Sequence, residues 1–362
     1  TAGVPPADWA LLPHDLWTNL AHATMLSEMK TPVMTGPELS SVKKALQFLD
    51  KARQENRLMV DFKSPGEEGY SEDVHYWVES QVKKQAGDAV GGKLHTARSR
   101  NDQVNTDMRL CLREDLLYFA EAVLGLEKAL LDAALSHKDV VSPGYTHHQH
   151  GAVSTLGFLW MSHAAALERD LERLDSAYLQ VDACPLGAVM AFGTRWGIKR
   201  ERTAELLAFS KILDNNLDAV GSRGEAETVF VSALALLANR LSALAQDILL
   251  MTTEEFGFLK VHKDFTTGSS VMPQKRNMDF AEGTKAKAAL VAGYLQGLLG
   301  ITRGNFSGYN RDSQFSKYLA LDTARELRLA PLVLGRVLAT AEVAESGRKA
   351  SVGTSRPSSA RM

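Results

Sequence analysis

The sequence has 362 residues, 45% of them hydrophobic, with 41 Lys and Arg set against 43 Asp and Glu. That composition supplies a large core and excludes an intrinsically disordered chain. The near balance of charge leaves no broad basic field for nucleic acid or an anionic membrane surface, so any anion must be met by local donors.

Cys111 and Cys184 are the only cysteines, which argues against a disulfide framework and suits a reducing compartment such as the cytosol or an organelle matrix. A cytoplasmic protein is expected. No run of about eighteen apolar residues and no signal-peptide pattern is visible, so neither a membrane span nor export is expected. The chain opens on Thr1 rather than Met, as a processed or truncated product would.

In chain order, residues 1–90 mix short helical patterns with breaks such as Lys63-Ser64-Pro65-Gly66 and read as a small N-terminal domain. Residues 91–345 read as a central domain of long helices. Its first periodic segment runs from Asp102 to about Lys138, with Val104, Met108, Leu112, Leu116, Phe119, Val123, Leu126, Leu130 and Ala134 at three- and four-residue intervals. After a break at Ser142-Pro143-Gly144, further apolar-periodic stretches span Leu156 to Leu179, Ala226 to Met251, Asp279 to Ile301 and Tyr318 to Ala341. Five long helices with few strands between them imply a mainly α, long-helix bundle. Their surplus of Leu and Ala points to packing against further copies of the chain. Residues 346–362, rich in Ser and Arg, carry no apolar period and read as a disordered tail.

Three polar segments between the helices are too dense in donors for ordinary connectors. Gly92 to Gln103 places Ser99, Arg100 and Asn101 just ahead of a long helix, where backbone N–H groups and the macrodipole favour an anion. The plainer reading is an N-cap with solvated arginines. Pro143 to His150 holds His147, His148 and His150 without a carboxylate or cysteine at ligand spacing, which favours proton transfer over metal binding. Thr267 to Asp279 is a Gly/Ser entry followed by cations, able to fold over a bound anion; the alternative is a solvated surface loop.

Gly268-Ser-Ser-Val-Met-Pro-Gln-Lys-Arg-Asn277 resembles the signature loop of the fumarase/aspartase superfamily. Lys93-Leu-His-Thr-Ala-Arg-Ser-Arg-Asn-Asp-Gln-Val104 and Gly144-Tyr-Thr-His147 are similar to its other two shared regions, in the form found in the argininosuccinate-cleaving branch. Glu72-Asp-Val-His75 and Tyr309-Asn-Arg-Asp-Ser-Gln314 agree with that branch, and the resemblance runs from about His22 to about Ala341.

The resemblance implies an anti-elimination that breaks a C–N bond and releases fumarate, without cofactor or metal. It implies Ser269 as general base, Lys275 and Asn277 as stabilisers of the aci-carboxylate, and His147, paired with Glu282, as proton donor to the leaving nitrogen. Ser99, Arg100, Asn101, Thr146 and Ser270 would hold the succinyl carboxylates. His75 would stand on the substrate side, and Tyr309, Gln314 and Lys317 would face the guanidino and amino-acid end. The expected assembly is a homotetramer with each site built from three subunits, acting on a small molecule, with no nucleic-acid or membrane partner.

Departures from the branch are His148 at a usually apolar position, Met278 for a common proline, and Thr18-Asn19 for a Gly-Ser pair whose serine touches substrate. The small C-terminal domain of such lyases has no counterpart in residues 346–362. Two alternatives stand beside the main one: a lyase acting on another N-substituted aspartate, and an inactive structural member like the lens crystallins of this family.

Overall fold

The computed structural model describes residues 7–58, 63, 66–67 and 70–344; the expected tail at 346–362 lies outside them. Helices dominate: α1 Leu12–Ser27, α2 Gly36–Gln54, α3 Val74–Ala86, α4 Asp88–Gly91, α5 Arg100–Ser136, α6 Leu156–Val181, α7 Arg200–Leu206, α8 Asn216–Gly221, α9 Glu225–Met251, α10 Asp279–Ile301, α11 Ser316–Leu327 and α12 Ala330–Thr340. Among the described residues there are also four short 3-10 turns and three two-stranded antiparallel pairs: β1 Val141–Thr146 with β2 Gln149–Thr155, β3 Leu259–Lys260 with β6 Glu342–Val343, and β4 Thr267–Gly268 with β5 Arg276–Asn277.

The chain forms two compact units. Unit 1 comprises Thr1–Asp115, Ala177–Phe230 and Gln296–Asp322; unit 2 comprises Leu116–Ser176, Val231–Leu295 and Thr323–Met362.

In unit 1, α2 begins with a reciprocal cap in which the Glu38 carboxylate accepts from the Thr35 backbone N–H at 2.8 Å, and Pro37 occupies the first turn, where no N–H is needed. Asp73 caps α3 by accepting from Tyr76 N at 2.7 Å. Trp9 meets Trp77 edge to face at 5.0 Å. A second apolar centre gathers Ala21, Leu110, Cys184, Leu186, Ala204, Leu207 and Phe209.

In unit 2, α6 starts hard against the end of α5, since a Cβ at Gly157 would come within 2.6 Å of the Ala134 carbonyl oxygen. Only glycine fits there. Helix α9 is long and apolar enough to cross a membrane by length and composition alone. Within unit 2 it nevertheless buries Leu234, Leu237, Leu241 and Leu244 and pairs with α6, Asp247 lying 2.8 Å from His163 and Arg240 3.5 Å from Asp170. That is the pattern of a core helix.

Four expected long helices appear with ends displaced by no more than two residues. The fifth, expected as one segment, is two: α11 ends at Leu327 and α12 restarts at Ala330, with Pro331 in its first turn. Proline lacks the N–H that would continue the ladder and clashes with the preceding turn. The segment around His147, expected as a loop leading to a helix, is instead a β-hairpin.

Candidate active site

Unit 1 carries the first group of expected site residues. Ser99 caps α5: its hydroxyl accepts from Asn101 N at 3.3 Å, while the Asp102 carboxylate accepts from Ser99 N at 2.9 Å. The N-cap reading therefore holds, but both arginines are tied to partners within the fold. Arg98 is buried and donates to Asn19 Oδ1 at 2.9 Å; Arg100 donates to Glu79 at 2.6 Å and to Gln103 at 2.7 Å. Asp102 also accepts from Gly187 N and Val189 N at 2.9 and 2.8 Å, tying the cap to a second loop. Burial pushes its carboxyl up to about 6 against the pull of those three N–H donors.

Behind this loop lies a buried polar network that the sequence reading did not anticipate. Gln103 donates to Asp15 at 2.6 Å, Thr18 donates to Asp107, and Asn19 donates to the Asp15 carbonyl at 2.8 Å. His75 is fully buried, its Nε2 lying 3.0 Å from Asp107 Oδ2. Thr18 and Asn19, the pair that departs from the branch pattern, are thus engaged inside the fold.

Asp15, His75 and Asp107 bring ligand atoms within 4.8 Å of one another, a spacing a metal ion could use. The surrounding charge disfavours a dication there. Burial and the neighbouring Asp15 carboxylate push Asp107 well above the carboxylate range, while burial and the cations Lys317, Arg100, Arg223 and Arg98 hold His75 well below its ordinary value. A dication would meet those same four cations.

His22, one helical turn after Thr18, stands 2.9 Å from the Thr96 carbonyl oxygen and so presents an Nε2 proton to the loop. Burial, helped by Arg98, holds it down to about 3 from an ordinary 6.5. The unfolded chain therefore takes up a proton below 6.5 that the folded chain refuses, so stability is full above that pH and is lost as the pH falls toward 3. Near pH 5 the expected loss is about 2 kcal/mol. His22→Gln should flatten the fall of melting temperature between about pH 6.5 and 4; an unchanged slope would assign the acid sensitivity elsewhere.

The remaining residues of this group sit near α11. Lys317 is 3% exposed and pairs with Asp8 at 2.5 Å, while Gln314 bridges Arg223 and Tyr309 at 2.9 Å each. His75 and Lys317, expected to face substrate, are thus buried and engaged with carboxylates.

Unit 2 carries the second group. His147 and His148 form the two-residue turn of the β1–β2 hairpin with φ of +53° and +59°, the left-handed pair a tight hairpin turn demands. Thr146 precedes it, and both Thr146 and His147 are exposed. Tyr145 packs edge to face on His150 at 5.1 Å, so that third histidine is engaged as an aromatic partner.

β4 and β5 close the Ser269 loop, with Thr267 opposite Asn277 and Gly268 opposite Arg276. Thr267 Oγ1 donates to Asp279 at 2.6 Å, which fixes the loop base to α10. The Ser269 hydroxyl oxygen accepts from Met272 N at 3.1 Å and Val271 N at 3.3 Å. Two N–H donors on one oxygen stabilise developing negative charge there. Ser270 and Lys275 are exposed on the same loop, Asn277 is half-buried, and Glu282 is exposed in the first turn of α10.

A protein-family model described as Lyase matches residues 20–293. The chain belongs to this lyase family. Curated relatives of the lyase include an argininosuccinate lyase of Geobacillus thermodenitrificans, 38% identical over 88% of this chain and 67% of that protein. That of Thermosynechococcus vestitus is 39% identical over 90% and 69%, and that of Methanosarcina acetivorans 38% over 83% and 58%. The chain thus spans roughly two thirds of the length of these relatives, and less of the last. Among solved structures, a variant of EDDS lyase with bound fumarate is 27% identical with a TM-score of 0.79, covering 96% of this chain and 66% of that one. A class II fumarase from Schistosoma mansoni, at 14% identity and a TM-score of 0.81 over 94% and 78%, shares the helical fold.

The residues missed by sequence reasoning are Asp15, His22, Arg98, Asp107 and Arg223, while Thr18 and Asn19 were marked only as departures from the branch pattern. A signal was present. Asp15, Thr18, Asn19 and His22 repeat at the spacing of one helix face, and that face of α1 is buried. A polar stripe of helical period facing inward marks a buried network as surely as an apolar stripe marks a core.

Proposed function

We propose that the chain cleaves argininosuccinate to arginine and fumarate by anti β-elimination. Ser269 removes the proton from the carbon beside one succinyl carboxylate, Lys275 and Asn277 stabilise the aci-carboxylate, and the C–N bond then breaks. His147, with Glu282 as its carboxylate partner, gives a proton to the leaving nitrogen. Ser99, Arg100, Asn101, Thr146 and Ser270 hold the carboxylates, His75 stands on the substrate side, and Tyr309, Gln314 and Lys317 serve the amino-acid end.

The observation that carries this reading is the Ser269 oxygen under two backbone N–H donors, within the loop that resembles the family signature. A serine is a poor base in water. It becomes a usable one where N–H dipoles and a nearby lysine favour the alkoxide and closure excludes solvent.

The first group of site residues belongs to unit 1 and the second to unit 2, and we assign their meeting to a homotetramer in which different protomers contribute them to each site. Exposed Leu117, Leu124 and Leu131, seven residues apart on α5, supply an apolar stripe of the kind that pairs helices between copies. The place of work is the cytoplasm.

Incubation with argininosuccinate should raise the ultraviolet absorbance of fumarate, and its absence with a folded oligomer would reject the reading. A second reading, cleavage of another N-substituted aspartate, is favoured by the likeness to EDDS lyase and by the internal engagement of Asn19. Fumarate release from such a compound without release from argininosuccinate would establish it.

A further inference from the structure

A chain of donors in unit 1 lies outside the elimination chemistry. Arg223 is 2% exposed; its Nη2 donates to Gln314 Oε1 at 2.9 Å, and Gln314 Nε2 donates to Tyr309 Oη at 2.9 Å. A guanidinium has no acceptor, so it dictates which end of the Gln314 amide faces it. The other end is then a donor. Tyr309 must receive that proton on its oxygen, which turns its own O–H away from Gln314.

The rest of the surroundings hold this arrangement still. The Tyr309 ring packs on Ala188, Ala191, Ala219 and Val220, and the Arg223 guanidinium sits 5.9 Å from the ring centroid. Among the described residues, Arg223 Nε and Nη1 are buried without a hydrogen-bond partner, and the Glu227 carboxylate favours the charged guanidinium.

We propose that Arg223 is a positioning residue that sets the polarity of a substrate subsite: acting through Gln314, it makes Tyr309 a hydrogen-bond donor, so the subsite takes the carboxylate of the amino-acid product and not its ammonium. The proposal rests on the reading of the chain as an arginine-releasing lyase. An ammonium has only donors to offer and would meet a donor, whereas a carboxylate offers only acceptors. The buried cation adds to the same preference.

The test compares binding of L-arginine with that of agmatine, which keeps the guanidine and the amine but lacks the carboxylate. Calorimetry would use the oligomer of the unmodified chain and of Arg223→Met, Arg223→Lys, Tyr309→Phe and Gln314→Glu, each checked for helix content. The unmodified protein should prefer arginine by about tenfold or more, the size of a hydrogen bond to a charged group. Arg223→Met and Tyr309→Phe should each bring the ratio close to one, and together should lose no more than either alone. Arg223→Lys, still able to donate to Gln314, should recover part of the preference.

Gln314→Glu, which draws the phenol proton inward, should favour agmatine. With argininosuccinate, Arg223→Met should raise KM about tenfold while kcat stays within about threefold, the mark of binding lost equally from ground and transition states.

Equal binding of arginine and agmatine by the unmodified protein, an undiminished preference in Arg223→Met, or additive losses with Tyr309→Phe would each overturn the proposal. Failure of the parent reading shows separately, as no fumarate from argininosuccinate whatever the two ligands do.

Discussion

Ser269→Ala is expected to lower kcat by about a thousandfold or more, the upper part of the range for losing a general base in a site arranged around it. Substrate affinity should change little. The side chain removed is one hydroxyl, and the donors holding the carboxylates lie on other residues. The loop should survive, because its base is closed by the β4–β5 pair and by Thr267 on Asp279. What is lost is the oxygen onto which Val271 and Met272 point their N–H groups. Rapid-quench measurement of fumarate, with binding measured separately, distinguishes the outcomes. Turnover within about tenfold of the unmodified enzyme would remove Ser269 from the role of base.

The second large effect is on stability. Asp8 accepts from Val74 N at 3.2 Å and pairs with Lys317 at 2.5 Å, and the side chains of Lys317 and Asp8 are 4% and 2% exposed. Asp8→Ala leaves an ammonium buried without its counter-ion, at a cost of about 3–5 kcal/mol. The urea midpoint should fall accordingly, and Lys317→Met in the same background should recover much of the loss by removing the stranded charge. A midpoint shift worth less than about 1 kcal/mol would mean that Lys317 reaches solvent or another carboxylate.

The long helices were legible because their apolar faces repeat over many turns, so α10 was placed at both ends and α5, α6 and α9 within two residues. The break at Pro331 was written in the sequence and was passed over because apolar residues continue on both sides of it. The hairpin at Val141–Thr155 was hidden for a different reason. Its strands carry Pro143, Gly144 and Gly151 and are largely exposed, so no alternation announces them, and its turn uses two histidines at positive φ where Asn-Gly would have signalled it.

The motifs of the candidate site stood out in the sequence, and its supporting network did not. The residues of the Ser269 loop and the Ser99 cap stand in short stretches that can be read by eye. The supporting network is scattered: Asp15 and Asn19 lie on α1, Gln103 and Asp107 on α5, and Arg98 between them. Contacts between residues some 80 to 90 positions apart leave no local pattern, and only the buried polar stripe on α1 hinted at them.

In the proposed assembly, residues of unit 1 in one protomer act on the same substrate as residues of unit 2 in another. Ser99→Ala combined with Asn101→Ala disables the first group, and Ser269→Ala the second. Each variant should be inactive alone with argininosuccinate. Dissociated and reassembled together, they should regain fumarate release through sites that draw one intact half from each variant; mixtures that stay inactive, while unmodified protein recovers fully from the same treatment, would contradict a site shared between protomers.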